Sequence, residues 1–141
     1  MKKTFPSTIL ILFLLVLNSC SKESTENTNT IVGSWELREI IGGFRGNQPQ
    51  TNYAPGNGNL WEMSESAYQF YQNHVLMEQG TFVKGRDSSS ATGKLTDFLL
   101  LSSNEKLYFE ISKDTLTFYS EELVYDGTID KYVRIPTVHN R

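Results

Sequence analysis

The stretch Ile31-Val32-Gly33-Ser34-Trp35-Glu36-Leu37-Arg38-Glu39-Ile40-Ile41 alternates with a period of two. Ile31, Gly33, Trp35, Leu37 and Ile41 fall on one side, and Ser34, Glu36 and Arg38 on the other, so it reads as a half-buried β-strand. Glu39 breaks the pattern by falling on the apolar side. Near the strand's end it either reaches the rim of the fold or pairs with an arginine.

Downstream, short runs of the same kind recur between turn residues. Gly42 to Gly58 holds five glycines and two prolines and reads as a long loop. Seven more strands are expected: Leu60–Ser64, Ala67–Tyr71, Val75–Lys84, Leu95–Leu101, Leu107–Ile111, Thr115–Tyr119 and Thr128–Ile135. Gln72-Asn73-His74, Lys113-Asp114 and Asp126-Gly127 supply turns. Gly85 to Lys94 reads as a polar connection, and Pro136 ends the last strand. The run Leu95–Leu101 is nearly all apolar, which implies burial on both faces or packing against another element. No stretch has a sustained helical period. Eight short strands with regular turns imply an all-β fold, a small antiparallel up-and-down barrel. A barrel of eight strands either fills with side chains or holds one small ligand. Trp61, Met63, Tyr68, Phe70, Phe82, Phe109 and Phe118 are expected to line its interior.

Upstream, Lys2 and Lys3 precede an unbroken apolar run, Ile9 to Leu17, of nine residues. A membrane-spanning helix needs about 20. The run therefore reads as the apolar region of a secretion signal rather than a span or a core helix. Leu17-Asn18-Ser19-Cys20 resembles the lipobox of bacterial lipoproteins. That resemblance implies cleavage before Cys20, a diacylglyceryl group on its thiol, and further acyl chains such as palmitate on the new amine. Asn18 is larger than the residue usual there. Residues 1–19 are then a signal peptide, and 20–30 a lipidated cysteine followed by a polar tether. Residues 31–136 form the barrel domain, and 137–141 a C-terminal tail. Ser21 to Thr30 contains no apolar residue and cannot order itself by burial. The expected location is the cell envelope, lipid-anchored at the outer membrane.

Cys20 is the single cysteine, so no internal disulfide and no multi-cysteine metal site can form. The chain carries 13 basic and 16 acidic residues; without Lys2 and Lys3 that leaves 11 against 16, a formal charge of −5. Such a balance lacks the basic footprint of a nucleic-acid binder and of an electrostatic lipid binder. Attachment would rest on the acyl chains.

Chemistry is sparse. His74 sits at an expected hairpin turn and His139 in the tail, neither placed as a buried base. Pro55-Gly56-Asn57-Gly58 does not open a helix and reads as a plain turn. Glu62, Glu78 and Glu110 each alternate with apolar neighbours and are expected to face water, with no carboxylate pair forced together. No cofactor, metal or catalytic set is expected.

Gly33-Ser34-Trp35-Glu36-Leu37 resembles the G-x-W-x-L opening of lipocalin-like domains in small bacterial lipoproteins. Tyr53-Ala54-Pro55-Gly56-Asn57-Gly58-Asn59, after Gly42-Gly43, and Gly80-Thr81-Phe82 are similar to stretches in the same group. The resemblance implies that Trp35 closes the barrel bottom with Arg134 packed over it. The leading functional reading is a non-catalytic module holding a small apolar ligand inside the barrel. The alternative is a structural or interaction lipoprotein with a filled barrel, acting through the loops Gly42–Gly58 and Gly85–Lys94. An enzyme is the third.

Overall fold

The computed structural model describes residues 30–42, 51–120 and 127–136. The expected signal peptide, Cys20, the tether up to residue 29, the loop residues 43–50, Asp126 of the last turn, and the tail with His139 lie outside them. Nine strands form one antiparallel sheet: β1 (Gly33–Gly42), β2 (Thr51–Asn52), β3 (Leu60–Met63), β4 (Ala67–Gln72), β5 (Val75–Ser89), β6 (Lys94–Leu101), β7 (Lys106–Ser112), β8 (Thr115–Tyr119) and β9 (Thr128–Ile135). β3 to β9 follow one another in chain order, and β9 pairs back onto β1. The result is a closed eight-stranded up-and-down barrel with the two-residue β2 as an extra strand beside the upper half of β1. Closure leaves no open sheet edge along the main ladder. Among the described residues there is no helix.

Local chemistry accounts for the turns. Asn73 and His74 both take positive φ, 50° and 67°, the backbone of a tight hairpin turn, and Lys113 does so at 55° in the β7–β8 turn. The core is the inner face of the barrel, continuous from Ile31, Trp35 and Leu37 through Trp61, Met63, Tyr68 and Phe82 to Leu99, Leu116 and Tyr132.

Two bulges change the alternation expected from sequence. In β1, Leu37 pairs with Tyr132 but Glu39 pairs with Lys131, so Arg38 is an extra residue. Past it, Ile40 turns inward onto the core. Glu39 turns outward and pairs with Lys131 at 2.6 Å. In β5, Phe70 pairs with Glu78 and Tyr71 with Leu76, which makes Met77 the extra residue. Glu78 therefore shares the inner row with Tyr68 and Phe70 instead of facing water, and its carboxylate accepts a hydrogen bond from the Tyr68 hydroxyl.

Three further expectations need correction. Gly85 to Ser89 is strand, not connection: β5 runs on to Ser89 in register with Lys94–Leu101. In β6, Leu99 and Leu101 are buried, but Leu95 and Leu100 are 58% and 43% exposed, so the apolar run is not buried on both faces. β1 is covered more fully than a half-buried strand, since outward Ser34 and Glu36 are also buried.

Candidate functional site

The bottom of the barrel is built around Trp35. Its indole is fully buried and donates to the Ile31 carbonyl at 2.7 Å. The Arg134 guanidinium lies 4.1 Å from the ring centroid and donates to the carbonyls of Val32 (2.7 Å) and Thr30 (2.6 Å). The cation is thus stacked on the ring and anchored to the entering chain. Gly33 makes this possible: at φ +138° any Cβ would stand 2.5 Å from Arg134 Nη1.

All seven side chains expected to line the interior do face inward. Six are buried, and Phe70 is partly so. They meet each other. Trp61 contacts Phe70, Phe118 and Tyr68 with centroid separations of 4.9, 5.4 and 5.5 Å. Phe118 also meets Tyr132 at 5.8 Å and Phe109 at 6.5 Å. The Trp61–Phe118 contact joins β3 to β8, strands that are not neighbours in the sheet, so it crosses the lumen. Leu99, Leu101, Leu116 and Tyr132, which were not named among the lining residues, complete this filling. Leu116 lies two residues from Phe118 and so shares its face, whereas β6 and β9 carry no named lining residue from which alternation could start.

The upper lumen carries an acid that sequence reasoning did not name. Asp130 pairs with Ile40 and Phe118, both inward. Its Oδ1 is buried with no hydrogen-bond partner, and burial pushes its carboxyl above the usual range despite help from Thr128. Burial, aided by the nearby Asp130, likewise raises the Tyr132 phenol.

The Tyr53–Asn59 segment is a clasp over the outer face of β1. Asn57 Nδ2 donates to Leu37 O (2.8 Å) and Ala54 O (2.7 Å), while its Oδ1 accepts from the Asn59 backbone at 2.9 Å. Leu37 N–H donates to Asn59 O and Tyr53 N–H to Arg38 O. Gly56 N–H donates to Glu36 at 3.1 Å, and Arg38 pairs with the same carboxylate at 2.5 Å. Burial opposes the charged form of Glu36, but Gly56 and Arg38 outweigh it and hold the carboxyl below its usual range. His74 N–H closes the clasp onto Gly58 O at 2.9 Å.

One open depression, about 880 Å³, lies on the outside of the barrel. The register explains its lining. Ser34 pairs with Glu62, Glu62 with Gln69 and Gln69 with Gln79, so these four form an outward row across β1, β3, β4 and β5. One step toward the bottom lies the small-residue row Val32, Ser64, Ala67 and Thr81. Between the two rows the floor is the backbone of Gly33, Met63, Tyr68 and Gly80. Among the described residues no three His, Cys, Asp or Glu side chains gather to hold a metal ion.

Comparison with protein-family models, with curated proteins and with solved structures finds no match for this chain.

Proposed function

We propose that this protein is a membrane-anchored, non-catalytic lipoprotein whose lipocalin-like barrel is filled by its own side chains and which works through its outer surface. The carrying observation is the ring contact between Trp61 and Phe118 across the lumen, at 5.4 Å. Rings that already satisfy each other leave an apolar ligand nothing to displace but protein. This packing supports the filled barrel, the alternative from sequence, over the apolar-ligand carrier expected first. The anchor rests on Leu17-Asn18-Ser19-Cys20 and on the apolar run before it. The G-x-W-x-L opening and the Arg134–Trp35 stack support the lipocalin-like assignment. The polar stretch after Cys20 would join the barrel at its Trp35 end, with the hairpin tip at Asn73-His74 at the opposite end.

Native mass spectrometry of Ser21–Arg141 from cell extract tests the reading. The expected mass is that of the bare polypeptide, with no emission gain from a hydrophobic fluorescent probe. One retained apolar molecule per chain would overturn it. Labelled palmitate should enter the full-length protein in a lipoprotein-processing bacterium and not its Cys20→Ser variant.

A further inference from the structure

Most of the outer face pairs its charges. Lys94 meets Glu110 at 2.7 Å, Lys106 meets Asp87 at 3.0 Å, and Lys131 meets Glu39 at 2.6 Å. The depression over β1, β3, β4 and β5 is different, because among the described residues no lysine or arginine lines it. Its polar heads are one carboxylate (Glu62), two carboxamides (Gln69 and Gln79) and the hydroxyls of Ser34, Ser64 and Thr81. Val32 and Ala67 supply apolar floor between them.

The carboxamides are oriented. Tyr71 donates its hydroxyl to Gln69 Oε1 at 3.1 Å, and Gln69 Nε2 in turn donates to Gln79 Oε1 at 3.4 Å. The relay leaves the Gln79 NH₂ as a donor, and exposed Glu62, which also faces the Tyr71 hydroxyl, adds acceptor oxygens along the same rim. An anionic ligand would meet Glu62 with no cation to offset it. An acyl chain would strip water from several polar heads and return no hydrogen bonds. A hydroxyl both donates and accepts, so vicinal hydroxyls satisfy a carboxylate and a carboxamide together. The C–H face of a sugar ring suits the Val32 and Ala67 floor. Four strands at their usual spacing give a trough of roughly 14 Å, and its volume lies in the range of ordinary ligand sites.

We propose that this groove binds a neutral, hydroxyl-rich carbohydrate chain, so that the tethered barrel holds glycan at the cell envelope. The proposal rests on the reading that the working surface is the outside of the barrel.

The test is calorimetric titration of the full-length protein in detergent with maltohexaose, cellohexaose and chitohexaose, and with a sulfated hexasaccharide as the anionic arm. At least one neutral hexasaccharide should bind. Gln79→Ala should weaken it at least tenfold, and Ala67→Trp, which fills the floor from the outside, should abolish it while the thermal midpoint stays within a few degrees of wild type. The sulfated chain should not bind. Binding by none of the neutral chains, binding that survives Ala67→Trp, or equal binding of the sulfated chain would each overturn the proposal. So would neutral-chain binding that appears only once residues 21–29 are replaced by glycine and serine, since the native groove would then belong to the chain's own tether. A ligand retained inside the lumen would instead overturn the filled-barrel reading, and mass spectrometry of the same sample separates the two failures.

Discussion

Replacing Phe118 by alanine would open the lumen at its middle. The ring is 5% exposed and meets Trp61, Tyr132 and Phe109 at 5.4, 5.8 and 6.5 Å. Losing the buried side chain forfeits about 1.5–3 kcal/mol of transfer free energy. A residual hole on the order of 100 Å³ adds roughly 2 kcal/mol at about 24 cal/mol per Å³. The edge-to-face contacts with Phe109 and Tyr132 overlap with these terms, so the expected total is about 3–5 kcal/mol. A domain of ordinary stability, about 5–15 kcal/mol, would be brought close to its limit. Urea unfolding monitored by the fluorescence of Trp35 and Trp61 measures the loss as a shift in midpoint at unchanged slope. Phe118→Leu keeps most of the volume and should cost at most about 1.5 kcal/mol. Benzene should partly restore Phe118→Ala, because a dry apolar hole binds it. A cost of about 1 kcal/mol for both variants, with no benzene effect, would mean that the ring borders open space and that the lumen is not filled.

Asp130→Asn should stabilise the protein by about 1 kcal/mol at neutral pH, by removing a buried charge with an unpaired oxygen. Because its folded pKa is raised, wild-type stability from this group is full below the unfolded value and is lost as pH rises through the folded one. The variant should lack that decline in denaturation curves taken from pH 4 upward. Arg38→Met should cost about 2–3 kcal/mol, since it leaves the buried Glu36 carboxylate with only the clasp amides. The stability that depends on the lowered Glu36 pKa is present above the unfolded value and disappears as pH falls through the folded one, so the acid-side slope should flatten in this variant. Gly58→Ala should destabilise by more than about 2 kcal/mol and Gly56→Ala by about 1–2 kcal/mol. Both take positive φ, but only at Gly58 would a Cβ meet the His74 ring and backbone, at 2.5–2.6 Å. Thermal unfolding of the pair reads the difference, and equal losses would show that the clasp is not held against the β4–β5 turn.

Alternation located the inward residues wherever pairing is regular, as at Trp61 and Met63, or Phe109 and Phe118. It fails at Glu39 and Glu78, because an extra residue in a bulge leaves no mark on the local period; only the partner strand reveals it. It also fails for Gly85–Ser89, where both faces of the strand are largely in water and the sequence looks like a loop, although pairing to β6 makes it strand. Leu95 and Leu100 mislead in the opposite direction, as strand-forming residues left exposed. The outer groove was not legible at all. Its rows join residues from four strands, and no local pattern relates Ser34 to Gln79.

The bulge at Arg38 explains why a lumen this full can close. Continued alternation past Leu37 would have pointed Glu39 inward and Ile40 outward, close to Asp130, the partner of Ile40 in β9. Two carboxylates would then lie side by side on the inner face, and neither could ionise without a large penalty. The extra residue exchanges them: Ile40 joins the core, and Glu39 reaches Lys131 on the surface. Arg38 itself turns back to Glu36, whose carboxylate also receives the Gly56 amide of the clasp. One inserted residue thus keeps a second acid away from Asp130 and ties the first strand to the loop that covers it. The cost of Asp130, whose Oδ1 has no partner, is the most direct measure of how dry that part of the interior is.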